Sequence, residues 1–226
     1  MKVYNIHRLF CIFLGFCIFY LSCSKDNKPK EEVRPFLNIE KGTFDVDVII
    51  QQPGETTGNS SGTPLGSGKL SFKYSGDIEG DYSVSGSLVV NQQEKQGVGA
   101  VLSLMEDLIF PDQINEALSI LAFYPRGDGK ADIFLLGNKT DFPVSSIEPG
   151  DVFGIGPLDP FNGLFLEGLD INEFWAGEAN FLETAEKAFV MTAGFVEIVA
   201  RDSSHIVGNF AGTTDPDRNV FNKYIP

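Results

Sequence analysis

The chain has 226 residues, 31 of them acidic and 17 basic, for a formal net charge of −14. A surface this acidic repels nucleic acid and anionic lipid headgroups, so no nucleic-acid partner is expected. Its three cysteines, Cys11, Cys17 and Cys23, all lie near the N-terminus, which excludes a disulfide framework, a Cys-ligated zinc site and a cysteine nucleophile from everything after them.

The chain opens with Lys2, His7 and Arg8, and then runs from Leu9 to Leu21 without a charge. That length suits the apolar region of a secretory signal and falls short of the roughly 18 residues of a spanning helix. It ends in Tyr20-Leu21-Ser22-Cys23, which resembles the lipobox of bacterial lipoproteins, where a small residue precedes an invariant cysteine. Tyr20 stands where Leu is commonest, a looser form familiar in Bacteroidetes lipoproteins. The resemblance implies cleavage after residue 22 and a lipid on Cys23, hence a membrane partner. Ser24 after the cysteine implies outer-membrane delivery, and Lys25-Asp26 faintly resembles a surface-export tag; inner-leaflet attachment stays open. Cleavage removes Lys2 and Arg8 but no acid, taking the formal charge from −14 to −16. Each buried CH₂ contributes about 0.8 kcal/mol, so two or three acyl chains would secure retention. Residues 23–35 then read as a lipidated cysteine and a flexible, densely charged tether of roughly 40 Å at full stretch. Residues 36–226 read as a single domain, since no convincing linker divides them.

The elements that follow have mostly period two, the mark of strands with one wet face. "TFDVDVII" (43–50) alternates through Phe44, Val46, Val48 and Ile50. Residues 51–68 carry five glycines and two prolines and predict a long mobile loop. "KLSFKYS" (69–75) sets Leu70, Phe72 and Tyr74 on one side. Residues 81–91 set Tyr82, Val84 and Leu88 on one side, and "GDIEG" (76–80) joins the two as a hairpin. "VGAVLSL" (98–104) predicts a buried strand. "PDQINEAL" (111–118) predicts the start of a short helix, with Pro111 in its first turn and Ile114, Ala117 and Leu118 on one face. "LSILAFY" (118–124) and "KADIFLLG" (130–137) flank "PRGDG" as a hairpin, both arms apolar on both faces. Short strands are expected at 151–155, 163–167, 188–193, 195–201 and 205–213.

"IEGDY" (78–82) and "IVGNF" (206–210) share a glycine before a polar residue and an aromatic. Each glycine is expected opposite or beside a ring that covers the bare backbone. About a dozen short strands and at most one short helix predict an all-β fold, an antiparallel β-sandwich of jelly-roll or immunoglobulin-like type, with a β-barrel as the alternative. The 20 phenylalanines supply the filling. "HIVGNFAGT" (205–213) also resembles strands of small β-sandwich lipoproteins of Bacteroidetes, over that terminal stretch alone and with no activity implied.

Candidate chemistry is sparse. His205 follows Asp202, Ser203 and Ser204, the residue types of a nucleophilic triad, but neighbours in a turn do not assemble its geometry. Paired acids that a two-carboxylate glycoside hydrolase would need are Asp45/Asp47, Asp77/Glu79/Asp81, Asp151/Asp159 and Asp170/Glu173. Loops 76–81 and 159–162 offer weak calcium binding at most, without EF-hand spacing, and no other cofactor is expected. Arg126-Gly127-Asp128 spells an integrin-recognition tripeptide and equally an ordinary turn. Phe174 and Trp175, with Phe181, offer a stacking platform for a sugar, or else core. A late Trp175 does not fit the Gly-x-Trp of lipocalin-like lipoproteins. The expectation is therefore a non-catalytic envelope module that binds a glycan or an envelope protein, with a glycoside hydrolase and an adhesin or assembly subunit as alternatives.

Overall fold

The computed structural model describes residues 35–52, 64–89, 96–106, 114–139, 143–172 and 184–214. Eleven strands run in chain order: β1 (Leu37–Gln51), β2 (Pro64–Gly76), β3 (Gly80–Val89), β4 (Gly97–Glu106), β5 (Ile114–Pro125), β6 (Lys130–Asn138), β7 (Val152–Gly154), β8 (Phe161–Asp170), β9 (Lys187–Val190), β10 (Ala193–Arg201) and β11 (His205–Thr213). A 3₁₀ turn spans Val144–Ser146. All eleven strands belong to one sheet, ordered β7-β10-β11-β1-β2-β3-β4-β5-β6-β8-β9. Among the described residues, no helix is long and apolar enough to cross a membrane.

The ends of this sheet meet. β9 and β10 stand near opposite ends of the order, yet only Met191 and Thr192 separate them in the chain. The Met191 N–H donates to the Gly163 carbonyl at 2.9 Å, and the Thr192 N–H donates to the Thr213 carbonyl at 2.8 Å. Ile155 bridges Phe161 beside them. The expected all-β fold is thus built on one curled sheet, antiparallel except where β1 and β3 each pair with β4 in parallel. Rings fill the space between the walls. Phe72 of β2 meets Phe134 of β6 at 5.0 Å, Phe165 of β8 at 5.5 Å and Phe210 of β11 at 5.9 Å between centroids. Such pairs contribute about 0.5–1.5 kcal/mol each beyond the area they bury.

The two glycine–aromatic stretches do what their pattern predicts. Gly80 lies opposite Tyr74, and Gly208 lies opposite Phe44. The β1–β11 register makes the second pair reciprocal, with Gly42 opposite Phe210. A Cβ on Gly42 would stand 2.2 Å from Phe210 Cζ, and one on Gly208 would stand 2.3 Å from Phe44 Cζ. The missing side chains are what allow two large rings to lie flat against neighbouring backbone.

Two expectations are corrected. Ile114–Leu118 begins β5, not a helix, and pairs with Glu106 through Leu102 of β4. Leu118, Ile120 and Ala122 then alternate into the core; a long hairpin partner outweighs the weak local preference. Residues 111–113 lie outside the described residues. The second correction shortens the expected loop, because Gln51 ends β1 and Pro64–Gly68 already belongs to β2. Gly66, at φ 103°, sits where a Cβ would be 2.6 Å from the Asp47 carbonyl and 3.0 Å from the Ala100 nitrogen. Its role is close passage between strands, which composition cannot distinguish from looseness. The β5–β6 hairpin is apolar on both faces as expected: Phe134 and Leu136 enter the main core, while Phe123 and Ile133 join Leu164 and Leu166 in a second cluster.

Candidate functional site

Strand alternation turns Asp45 and Asp47 of β1 away from the core that holds Phe44 and Val46. The register sets His205, the first residue of β11, opposite Asp47, and sets Lys69 of β2 opposite Asp45. Five polar side chains of this face form one continuous array. His205 Nδ1 lies 3.0 Å from Asp47 Oδ1, and His205 Nε2 lies 3.0 Å from Asp45 Oδ1. The Ser67 hydroxyl donates to Asp47 Oδ2 at 2.5 Å, and Lys69 Nζ pairs with Asp45 Oδ2 at 2.9 Å. Carboxylates only accept hydrogen bonds, so the doubly protonated ring is the form that donates to both. The Ser67 hydroxyl, and after it the imidazole, hold the Asp47 carboxyl below the usual range.

This arrangement is not a nucleophilic relay. A relay needs a hydroxyl hydrogen-bonded to the imidazole and a carboxylate on its far side. Here the hydroxyl of Ser67 goes to a carboxylate, and both ring nitrogens are already engaged. The neighbours of His205 in sequence play no part. The Ser204 N–H donates to Asp202 Oδ1 at 2.8 Å, and the Asp202 N–H donates to the His205 carbonyl at 2.9 Å, closing the β10–β11 turn. Period two already placed Asp45 and Asp47 on a wet face. What no local pattern supplied was the β1–β11 register that brings His205 to them.

A second array lies at the opposite end of the strands. The Arg126 guanidinium contacts Asp132 at 3.4 Å, Glu167 at 3.3 Å and Glu186 at 3.0 Å, and Lys130 also pairs with Glu186. The Gly168 N–H donates to Asp132 Oδ1 at 2.9 Å. Burial nevertheless raises the Asp132 carboxyl above its ordinary value, while the Lys130 ammonium holds Glu186 below its own. In the integrin-like tripeptide, Arg126 is thus committed to three acids. The Asp128 carboxylate accepts the Lys130 N–H at 3.0 Å, as in ordinary turn chemistry.

Four of the other paired acids have partners of their own. Asp77 accepts the Phe36 N–H at 2.7 Å, Asp81 pairs with Lys73 at 3.5 Å, Asp151 accepts the Glu148 N–H at 2.8 Å, and Asp170 accepts the Asn172 N–H at 2.9 Å. Among the described residues, no group of three or more His, Cys, Asp or Glu side chains is arranged to hold a metal ion. Cys23, Phe174, Trp175 and Phe181 lie outside the described residues, as does Glu173. Compared with protein-family models, curated proteins and solved structures, the chain matches none.

Proposed function

We propose that this chain is an envelope lipoprotein, anchored through Cys23 to the outer membrane, whose β domain acts by binding a glycan or an envelope protein. The observation that carries the non-catalytic reading is the His205 array. Asp45 and Asp47 both bind one imidazole, and Ser67 binds Asp47, so that face offers neither a free base beside a hydroxyl nor two acids flanking a gap for substrate.

The tether meets the domain at one end. Thr214 Oγ1 donates to the Pro35 carbonyl at 2.9 Å, and the Asp77 N–H donates to the Phe36 carbonyl at 2.9 Å. An anchor on Cys23 would turn this end, with the Arg126 array, toward the membrane. The His205 array, roughly 30 Å further along β1, would face away from it. In this reading the distal end is the contact surface.

Two measurements test the proposal. Mass spectrometry of the processed protein should find acyl chains on Cys23, and Cys23→Ala should move the protein out of the membrane fraction. On a glycan panel, the Cys23→Ala chain should be retained without releasing reducing ends. Release of reducing ends that Asp45→Asn abolishes would establish the hydrolase instead.

A further inference from the structure

An aspartate or asparagine side chain closes most easily onto the next backbone nitrogen when glycine follows, because no Cβ screens that nitrogen. The sequence has two such pairs, Asp128-Gly129 and Asn162-Gly163. An amide is the better electrophile and an ionised carboxylate the poorer one, so local sequence alone puts the lability at Asn162. The fold reverses that order. Asn162 lies inside β8 opposite Gly137 of β6, and Gly163 lies opposite Leu136. Gly163 is buried, its carbonyl accepts the Met191 N–H at 2.9 Å, and a Cβ on it would be 2.4 Å from Met191 Sδ. The ψ of a strand, about +135°, holds a side chain and the following nitrogen too far apart to join. Packing on both sides keeps that bond from turning.

Asp128 is placed the other way. It is exposed at the tip of the β5–β6 hairpin, beyond the Pro125–Ala131 pair that ends the ladder. Gly127 and Gly129 flank it, each at φ 83°. A Cβ on Gly127 would meet nothing within 4 Å, and one on Gly129 would meet only Asn172 Nδ2, at 3.8 Å. The backbone around Asp128 can therefore turn without a clash. Asp128 Oδ1 accepts the Lys130 N–H at 3.0 Å, which folds the carboxyl forward over its own peptide bond to Gly129. Among the described residues, none accepts the Gly129 N–H. Electrophile and nucleophile thus lie side by side, with the nitrogen uncommitted.

We infer that Asp128 is a site of spontaneous isomerisation to isoaspartate, through a succinimide closed by the Gly129 nitrogen. That nitrogen bonds to Cγ of the protonated carboxyl, whose hydroxyl departs with the Gly129 amide proton as water. A second water then opens the ring. Attack at the Cγ carbonyl restores aspartate. Attack at the main-chain carbonyl leaves the chain running through Cβ and Cγ, with the free carboxylate on Cα. Only water is exchanged, and nothing is oxidised or reduced. The product lengthens the loop between Arg126 and Lys130 by one backbone carbon and takes the carboxylate away from the Lys130 N–H. Arg126 and Lys130 share Glu186, and the Arg126 N–H donates to the Lys130 carbonyl at 2.9 Å. The modification therefore loosens the hairpin that carries both cations.

Peptide mapping of the full chain in detergent, aged in water enriched in heavy oxygen, tests this. Each ring opening leaves a heavy oxygen behind, and an isoaspartyl methyltransferase with a labelled methyl donor counts the isoaspartate. In the folded chain both signals should rise with time in the Asp128 peptide and stay at background in the Asn162 peptide. Unfolding in urea should reverse the order. Asp128→Glu keeps the charge but would need a larger ring, and it should remove the signal from that peptide with the β-sheet circular dichroism unchanged. Asp128→Asn should quicken the reaction, with the mass gain of exchanging ammonia for water. No label at Asp128 in the folded chain, label at Asn162 as fast as at Asp128, or a signal that survives Asp128→Glu would overturn the inference.

Discussion

Gly42→Ala drives a methyl group into the ring of Phe210. The new Cβ would lie 2.2, 2.4 and 2.6 Å from Phe210 Cζ, Cε1 and Cε2. Ordinary carbon contacts are about 3.5–4.0 Å, so the ring would have to retreat by about 1 Å or more. It has nowhere to go. Phe210 is 1% exposed, stacks on Phe134 at 4.9 Å and stands 5.9 Å from Phe72. Gly42 is not among the glycines with positive φ, so backbone strain does not add to the clash. Overpacking of this kind costs about 1–3 kcal/mol, and a ring held on several sides belongs at the upper end. At about 2–4 °C per kcal/mol for a chain of this size, melting should fall by roughly 6–12 °C. Phe210→Leu alone should cost about 1–2 kcal/mol through lost ring contacts. The double variant should cost at least about 1 kcal/mol less than the two single costs together, because the leucine no longer fills the space the new methyl needs. Strictly additive costs, or a Gly42→Ala protein that melts like the parent, would show that Phe210 does not lie over Gly42.

Asp47 is held below its ordinary value, so its contribution to stability is present above the unfolded pKa, near 3.8, and is lost as pH falls through the folded value. The melting temperatures of the parent and Asp47→Asn should therefore differ more at neutral pH than in strong acid, and an equal gap at both would count against the array. Arg126→Met leaves Asp132, Glu167 and Glu186 facing one another without their shared cation. Their partial exposure limits the cost to about 1–2 kcal/mol, and denaturation in rising salt should narrow the gap from the parent. Tyr82→Phe removes a buried hydroxyl that donates to the Ala122 carbonyl at 3.0 Å and the Asp132 carbonyl at 3.2 Å; urea denaturation should show a loss of about 0.5–1.5 kcal/mol, and no loss would mean the hydroxyl is not bonded there.

Strand by strand, much of the fold was legible. Alternation identified the inward sides of β2 and β3 through Leu70, Phe72, Tyr82 and Val84, all buried. The glycines at 80 and 208 announced rings opposite them, and Tyr74 and Phe44 are those rings. Residues 114–118 misled because a helical face and a strand face share Ile114 and Leu118, and only the β4 partner decides between them. Residues 64–68 misled because glycine serves tight passage and slack equally well. The His205 array was half legible: His205, Asp45 and Asp47 were singled out and Ser67 and Lys69 were not, and the histidine was weighed against its neighbours in sequence, while its partners sit 158 and 160 positions away, at Asp47 and Asp45.

By itself the sequence determined the class of the domain and the inward sides of β1, β2 and β3, because the pleat repeats every two residues and apolar side chains leave water wherever they can. It also determined that nothing after Cys23 can be crosslinked by thiols. Only the tertiary structure decided that one sheet curls until Met191 and Thr192 join its ends, that β1 passes from β2 to β4, and that one imidazole bridges two aspartates. Those outcomes depend on register and closure. Both are set by contacts between residues far apart in the chain, whose free energies no local pattern records.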